Sequence, residues 1–336
     1  MGEVEQDQGP KAPISGDQFP CEQCGAKLRF KPGSDTIKCD HCGHANPIPK
    51  RPWTQIEEQD LEQGLEKIES TAATEEKRTV KCQSCAAEFT FDPHVHAASC
   101  PFCGSAVVTE THTVRVIQPA ALVPFELDDK AAQNAFRKWL GNLWFAPNDL
   151  KKFAVTDGKL NGMYVPYWTY DAQTYSDYDG ERGDAYYVPY TVTKTVDGKT
   201  VTETHQRREV RWTYVSGNVE RFFDDMLVVA SKSLPKKYAD RLDTWRLSSL
   251  QPYRSEYIAG FRSEVYQVTL KEGFVEAKRR MEDQIRSDVR SDIGGDEQRI
   301  HNISTQWEDL RFKHILLPVW LAAYRYRGKV YQILIN

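Results

Sequence analysis

Apolar residues recur at helical spacing in three stretches of the chain. In "TQIEEQDLEQGLEKIES" (54–70), Ile56, Leu61, Leu65 and Ile68 line one side, and Thr54 with Glu57 forms a capping box. The other positions are strongly acidic, as on a solvated helix face. A second helix is expected to begin at Asp128-Asp129, an N-cap pair, and to turn Ala132, Ala135, Phe136, Trp139 and Leu143 inward. A third follows "YQVTL" (266–270), with Phe274, Met281, Ile285 and Val289 on one face.

Elsewhere the pattern is that of strands. "GMYVPYWTYDAQTYSDY" (162–178) has aromatics on both parities, Tyr164, Trp168 and Tyr170 on one face and Tyr167 and Tyr175 on the other. Such a strand packs on both faces, so these rings read as core and not as a stacking platform for bases or sugars. Residues 184–215 are two Thr/Val/Tyr-rich strands meeting at Asp197-Gly198, a strong hairpin signal. "NVERFFDDMLVVAS" (218–231) reads as a further strand, and "KHILLPVWLAAYRYRGKVYQILI" (313–335) as a buried strand entering another hairpin. Pro166-Tyr167-Trp168 and Pro318-Val319-Trp320 hold equivalent places after a helix. That echo predicts a duplicated strand–helix–strand–strand unit, with copies at about 122–178 and 266–336 and an inserted hairpin at about 184–215.

The eight cysteines change the picture at the N-terminal end. Cys21 and Cys24 are followed after fourteen residues by Cys39 and Cys42, and the same spacing returns in Cys82, Cys85, Cys100 and Cys103. Each Cys-x-x-Cys turn supplies two soft ligands, and two turns across a short hairpin close a tetrahedral Zn²⁺ shell. Glycine follows the second Cys of three turns (Gly25, Gly43, Gly104), and Ala86 stands in the fourth. This is a zinc-ribbon pattern found twice. A catalytic zinc keeps an open position and a redox Cys-x-x-Cys normally comes singly, so both Zn²⁺ sites are expected to be structural. His41, His44, His94 and His96 are read as solvent-facing alternatives to a ligand set that is already complete.

Together these elements predict an α+β protein: two N-terminal four-cysteine zinc ribbons plus a large antiparallel-sheet domain with an internal duplication. Residues 1–16 are polar and read as disordered, 17–48 as ribbon one, 49–78 as a linker holding the helix 54–70 and a flexible tether at 71–78, 79–109 as ribbon two, and 110–336 as the α+β domain. Each ribbon is expected to fold around its own metal, independently of the C-terminal domain.

At 336 residues with 40% hydrophobic content, the chain suits two or three soluble domains. Its longest apolar run, 315–324, has a central proline and falls short of the roughly 18 residues of a membrane helix. The formal net charge is −4, and thiolate-bound metal makes it more negative. Ribbon one sets Lys27, Arg29, Lys31 and Lys38 against Asp17, Glu22, Asp35 and Asp40, and ribbon two sets Lys81 against Glu88 and Asp92. Neither has the basic stripe that phosphate contact needs, so protein contact is the expectation and nucleic acid the alternative. With no signal-peptide-like run and no cysteine left for a disulfide framework, a reducing cytoplasm is the expected compartment.

No catalytic constellation emerges. "DGKT" (197–200) ends like a P-loop, but Thr193 stands where the motif needs glycine and the stretch lies in a hairpin. "GGDEQR" (294–299) reads as a loop, Asp224-Asp225 as diverging strand neighbours, and His205, His301 and His314 as scattered, with His314 a structural histidine in an apolar strand. No enzyme activity is expected.

"CEQCGAKLRF", "NVERFFDD", "GFRSEVYQVTL", "DIGGDEQRI" and "FKHILLPVWLAAYRYRGKVYQ" resemble a bacterial family of zinc-ribbon proteins, often labelled primosomal-protein-N′-like or superfamily II helicase-like. The resemblance covers nearly the whole chain. Members commonly continue past the position of Asn336 into a linker and hydrophobic membrane segments, and stand beside stomatin-like (SPFH) and phage-shock-type membrane proteins. The resemblance therefore implies a cytoplasmic adaptor working at the membrane periphery with protein partners of those kinds. The only site residues it carries over are the eight cysteines.

Overall fold

The computed structural model describes residues 19–48, 56–69, 74–90, 97–108, 111–142, 160–196, 199–234, 245–326 and 329–336. The protein is mixed α+β and mostly sheet. Three strands far longer than the sequence suggested, Asn161–Val196, Lys199–Val229 and Glu297–Tyr326, form its frame. The expected strands at 162–178 and 184–196 are one, those at 201–215 and 218–231 join in one that ends at Val229, and the second half of "GGDEQR", from Glu297, is strand. Charge-rich runs such as "THQRREVRW" look like breaks in a one-dimensional pattern, yet polar residues suit strand faces that meet water.

The chain divides into two compact units. The first holds the described residues of Met1–Thr169, Leu227–Gly273 and Phe312–Asn336. Its sheet is not purely antiparallel: Met163 and Tyr164 pair parallel with Arg262 and Ser263, and Ile315 and Leu316 pair parallel with Ala121 and Leu122. Side chains alternate across a strand with a period of two, and here both alternating sets are buried. Met163, Val165, Tyr167, Ile315, Leu317, Val319 and Leu321 share one core with Val80, Phe89, Phe102 and Val107 of the second ribbon. Tyr164, Leu316, Trp320 and Ala322 share another with Leu28, Phe30, Ile37 and Ile48 of the first. Each ribbon thus covers its own face of the same strands. A ribbon of about 30 residues is too small to bury a core alone, and these two complete theirs on the sheet.

The linker segments also carry structure. From Thr74, the residues read as a tether form the strand Thr74–Lys81, which pairs antiparallel with Glu88–Thr90 and Thr111–Ile117. The helix expected over 54–70 is Leu61–Glu69, capped by Asp60, whose Oδ1 accepts the Gln63 N–H at 2.9 Å. Thr54 lies outside the described residues. In the helix Asp129–Asn142, Asp128 caps the Ala131 N–H at 2.8 Å, and Ala132 and Phe136 are buried. Ala135 and Trp139 are instead exposed, because only a narrow stripe of this short helix meets the core. Leu143 lies outside the described residues.

The second unit comprises Tyr170–Met226 and Phe274–Arg311. The helix Leu270–Ile293, which runs into it, starts at a capping box: Glu272 accepts the Thr269 N–H at 2.8 Å, and its own N–H reaches the Thr269 hydroxyl at 3.2 Å. It ends where Gly294 and Gly295 take positive φ. Within the unit Ala277, Met281, Ile285 and Val289 are buried, Tyr178 donates to Asp292 at 2.6 Å, and Arg221 donates to Asp288 at 2.6 Å. Tyr175, read as core, is exposed along with Tyr214 and Phe222, because only one face of these strands is covered within the unit.

Candidate metal centres

Four local turns build the two cysteine clusters, and all four are alike. In each, the first cysteine's carbonyl accepts an N–H from four residues on: Gly25 to Cys21 at 2.8 Å, Gly43 to Cys39 at 2.9 Å, Ala86 to Cys82 at 2.8 Å and Gly104 to Cys100 at 2.9 Å. The same cysteine's N–H then reaches the carbonyl five residues on, at 2.8 Å in every case (Ala26, His44, Ala87, Ser105). The reversal requires a left-handed residue at the fourth step, with φ of 72°, 77° and 68° at the three glycines. Ala86 adopts φ 60° in the same place. A Cβ in that region costs about 1–2 kcal/mol. Ala86→Gly is therefore expected to raise stability by up to about 1 kcal/mol, read as a higher melting temperature of the metal-loaded protein.

Each turn sits at the tip of a short hairpin, framed by the Pro20–Lys27 bridge and by Thr79–Lys81 against Glu88–Thr90 for the first turn of each cluster. Thr36–Lys38 pairs with Ala45–Pro47 in the first cluster, and Ala97–Ser99 with Ala106–Val108 in the second. Opposed thiols then approach closely: Cys21 to Cys42 at 3.6 Å, Cys24 to Cys39 at 3.6 Å, Cys82 to Cys103 at 3.6 Å and Cys85 to Cys100 at 3.7 Å. Within each set of four, all ligand atoms lie within 4.8 Å of one another. A tetrahedron with Zn–S bonds of about 2.3 Å has S–S edges of roughly 3.8 Å, whereas a disulfide needs about 2.05 Å. The donor sets fit a four-coordinate soft metal ion, and each could hold one. All eight predicted ligands are brought together in the two sets that the spacing implied.

The surroundings favour thiolate unevenly. Burial raises the Cys21 thiol, but the Cys24 and Gln23 N–H groups, the Asn46 amide and Cys42 outweigh it and bring it down to about 6. In the second set burial, with Cys103 and Cys82 beside it, pushes Cys85 up to about 12. Cys103 also feels burial, but Ser105, Cys85 and Cys82 bring it down to about 7. Metal binding displaces the remaining protons, so both sites bind metal more weakly as pH falls through this range.

Asn46 was not foreseen. It is buried, its Nδ2 stands 3.7 Å from Cys21 Sγ and donates to the Ile37 carbonyl at 3.1 Å, and its Oδ1 accepts the Glu22 N–H at 3.0 Å. It thereby ties the two turns of the first ribbon to one another. Nothing in cysteine spacing marks it. Beside the second ribbon a part-buried polar network does similar work from outside it: Gln332 donates to the Phe102 carbonyl at 2.7 Å and to the Ser233 carbonyl at 3.2 Å, and Gln267 donates to Ser233 Oγ at 3.1 Å. Next to it lies the buried Glu264, whose carboxyl Oε1 accepts from the Ser231 hydroxyl at 2.9 Å.

Of the histidines weighed as alternative ligands, His41 and His44 stay out of the described ligand sets. His41 is exposed, His44 takes part through its carbonyl, and His94 and His96 lie outside the described residues. His314 is buried and donates from Nδ1 to the Ile117 carbonyl at 2.8 Å, the structural role its apolar strand implied. The turn Asp197-Gly198 lies outside the described residues, between strands that end at Val196 and resume at Lys199.

No family model matches the chain, and no solved structure does. One curated relative is a Bacillus subtilis (strain 168) protein described as "Uncharacterized protein YdjG". The two are 24% identical over 317 residues, which is 92% of this chain and 83% of the relative. The name states no activity, and the primosomal and helicase labels of the resembling family gain no support from it.

Proposed function

We propose that this chain is a non-enzymatic zinc-dependent adaptor, a scaffold that presents its surfaces to other proteins. The observation that carries the reading is the closed donor set: four convergent thiols in each ribbon, leaving no ligand position for water or substrate. Zn²⁺ bound there would supply four bonds that tie two turns together, a structural task. The protein partners are read as contacting ribbon and sheet surfaces. Support for this comes from Tyr187, Tyr214 and Phe222, which are 62%, 65% and 59% exposed on the two long strands of the hairpin. Aromatic side chains of this kind are enriched where proteins meet.

The resemblance adds a setting: the cytoplasm, at the periphery of a membrane, with SPFH/stomatin-like or phage-shock-type partners. Among the described residues no helix is long and apolar enough to cross a membrane. We also read the helix-then-Pro-x-Trp runs before Trp168 and Trp320 as the two copies of a duplicated unit, since both tryptophans are buried in neighbouring strands.

Elemental analysis of the purified chain should find two zinc ions per molecule. In a binding titration with single- and double-stranded DNA, the adaptor reading expects no salt-sensitive binding at a net charge of −4. Tight DNA binding that weakens steeply with salt would replace it with a replication-accessory role.

A further inference from the structure

The two clusters share one turn geometry and one donor set, yet they differ in access. In the first ribbon Cys24 and Cys42 are exposed while Cys21 and Cys39 are buried. In the second, Cys82, Cys100 and Cys103 are buried and Cys85 is only half-exposed. The cover differs too. Arg262 lies across the Phe89 ring at 5.9 Å and donates to the Ser99 carbonyl at 3.4 Å, and Gln267 and Gln332 reach carbonyls of both turns. The first ribbon has Asn46 on its buried side, bonded toward Cys21, and its outward edge is the pair of exposed thiols.

We infer that the first ribbon is an oxidant-sensitive latch, with Cys24 and Cys42 as its sites of modification, while the second ribbon is the inert partner. This rests on the structural-zinc reading above. Thiolate reactivity follows access, and an attacking oxidant meets the first ribbon's two exposed cysteines before the half-exposed Cys85 of the second. With a peroxide as the oxidant, Cys24 Sγ attacks one oxygen, the O–O bond breaks, and Cys24 becomes a sulfenic acid as hydroxide leaves. Cys39 Sγ, 3.6 Å away, attacks that sulfur, forms the Cys24–Cys39 disulfide and expels the second hydroxide. Two thiolates lose two electrons and the peroxide gains them. A second peroxide closes Cys21 with Cys42, also 3.6 Å apart, by the same route. Each disulfide joins an exposed sulfur to a buried one, across the two turns.

Loss of the ligands matters because of what the first ribbon covers. Phe30 packs edge-on against Tyr257 at 5.3 Å and near Phe261 at 6.5 Å, and its N–H bonds the Ala259 carbonyl at 2.9 Å. Behind them Phe261 stacks on Phe125 at 4.2 Å, and Phe125 meets Trp320 at 5.2 Å. When the ribbon loses its staple, this aromatic face is uncovered. The second ribbon keeps its metal and holds the opposite face.

The test uses the full chain loaded with zinc and treated with hydrogen peroxide, following zinc release with a chromophoric chelator and disulfides by peptide mass spectrometry. One zinc equivalent should leave at least ~10-fold faster than the other. The first disulfides should map to Cys21–Cys42 and Cys24–Cys39, with a parallel rise in binding of an apolar dye. Thiol reductant plus zinc should reverse all three. N-ethylmaleimide labelling of the untreated zinc protein gives a second measure, in which Cys24 and Cys42 react first. Equal release rates, or oxidation beginning at Cys82–Cys103, would overturn the latch while leaving the zinc reading intact. Fewer than two zinc ions before any oxidant is added would overturn both.

Discussion

Trp320→Ala is expected to destabilise the first unit by about 3–5 kcal/mol and to weaken zinc retention in the first ribbon at the same time. Trp320 is 6% exposed, its Nε1 donates to the Leu127 carbonyl at 3.2 Å, and it shares its core with Leu28, Phe30 and Ile37. Deleting the indole opens a cavity beside Phe125 and Phe261, the second of which packs on Phe30 of the ribbon, so the metal site and the sheet soften together. Trp168→Ala is the control. Its indole is fully buried against Tyr266 at 5.1 Å, Phe312 at 6.1 Å and His314 at 4.8 Å, and donates to the Val268 carbonyl at 2.9 Å. It should cost a similar amount while leaving ribbon-one zinc less affected. Melting and zinc content measured on both variants separate the cases, and unchanged melting in both would remove the core assignment of these strands. The sequence-based expectation that ribbon metal is indifferent to the sheet does not follow from this packing.

The second large effect is a pH dependence centred on Glu264. Burial holds its carboxyl up at about 8, against hydrogen bonds from Ser233 and Ser231 that lower it. The folded protein therefore keeps this proton up to about pH 8, whereas the unfolded chain releases it near the ordinary value of 4.5. Between those values the native state binds more protons than the unfolded one, so this group makes stability fall as pH rises, with the loss complete above about 8. Glu264→Gln removes the titration and keeps an acceptor for the Ser231 hydroxyl. The variant should match the parent near pH 5 and exceed it by a few kcal/mol, ~3 or more, at about pH 9. Urea unfolding across that range checks it. Parallel stability curves for the two proteins would show that Glu264 is not held neutral.

Much of this was legible in the sequence because the local chemistry is strict. Cys-x-x-Cys turns at fixed spacing identify ligands without any knowledge of the fold, and the glycines after them forecast the left-handed step. Asp128 as a cap, and Met281, Ile285 and Val289 as one helix face, also follow from short-range rules. The long strands were hidden because residues such as Arg207, Arg208 and Glu209 lie toward solvent on them, and such strand positions carry no periodic apolar signal. The joining of ribbons to sheet was hidden for another reason. Tyr164 and Met163 announce a strand buried on both faces, but not what buries it. That the covers are the two ribbons depends on contacts between residues far apart in the chain. Asn46 and Glu264 belong to the same class, since their roles arise only where distant carbonyls and hydroxyls converge.

The central claim is that metal, ribbons and sheet of the first unit form one packed body, with a ribbon on each face of the same strands. Hydrogen exchange read by mass spectrometry, on the full chain with zinc and after its removal by a strong chelator under reducing conditions, tests it most directly. The account predicts that zinc removal strips protection not only from 19–48 and 79–108 but also from the strand segments 161–169 and 312–322, since both lose their covers. Complete zinc loss with those two segments still fully protected would contradict it.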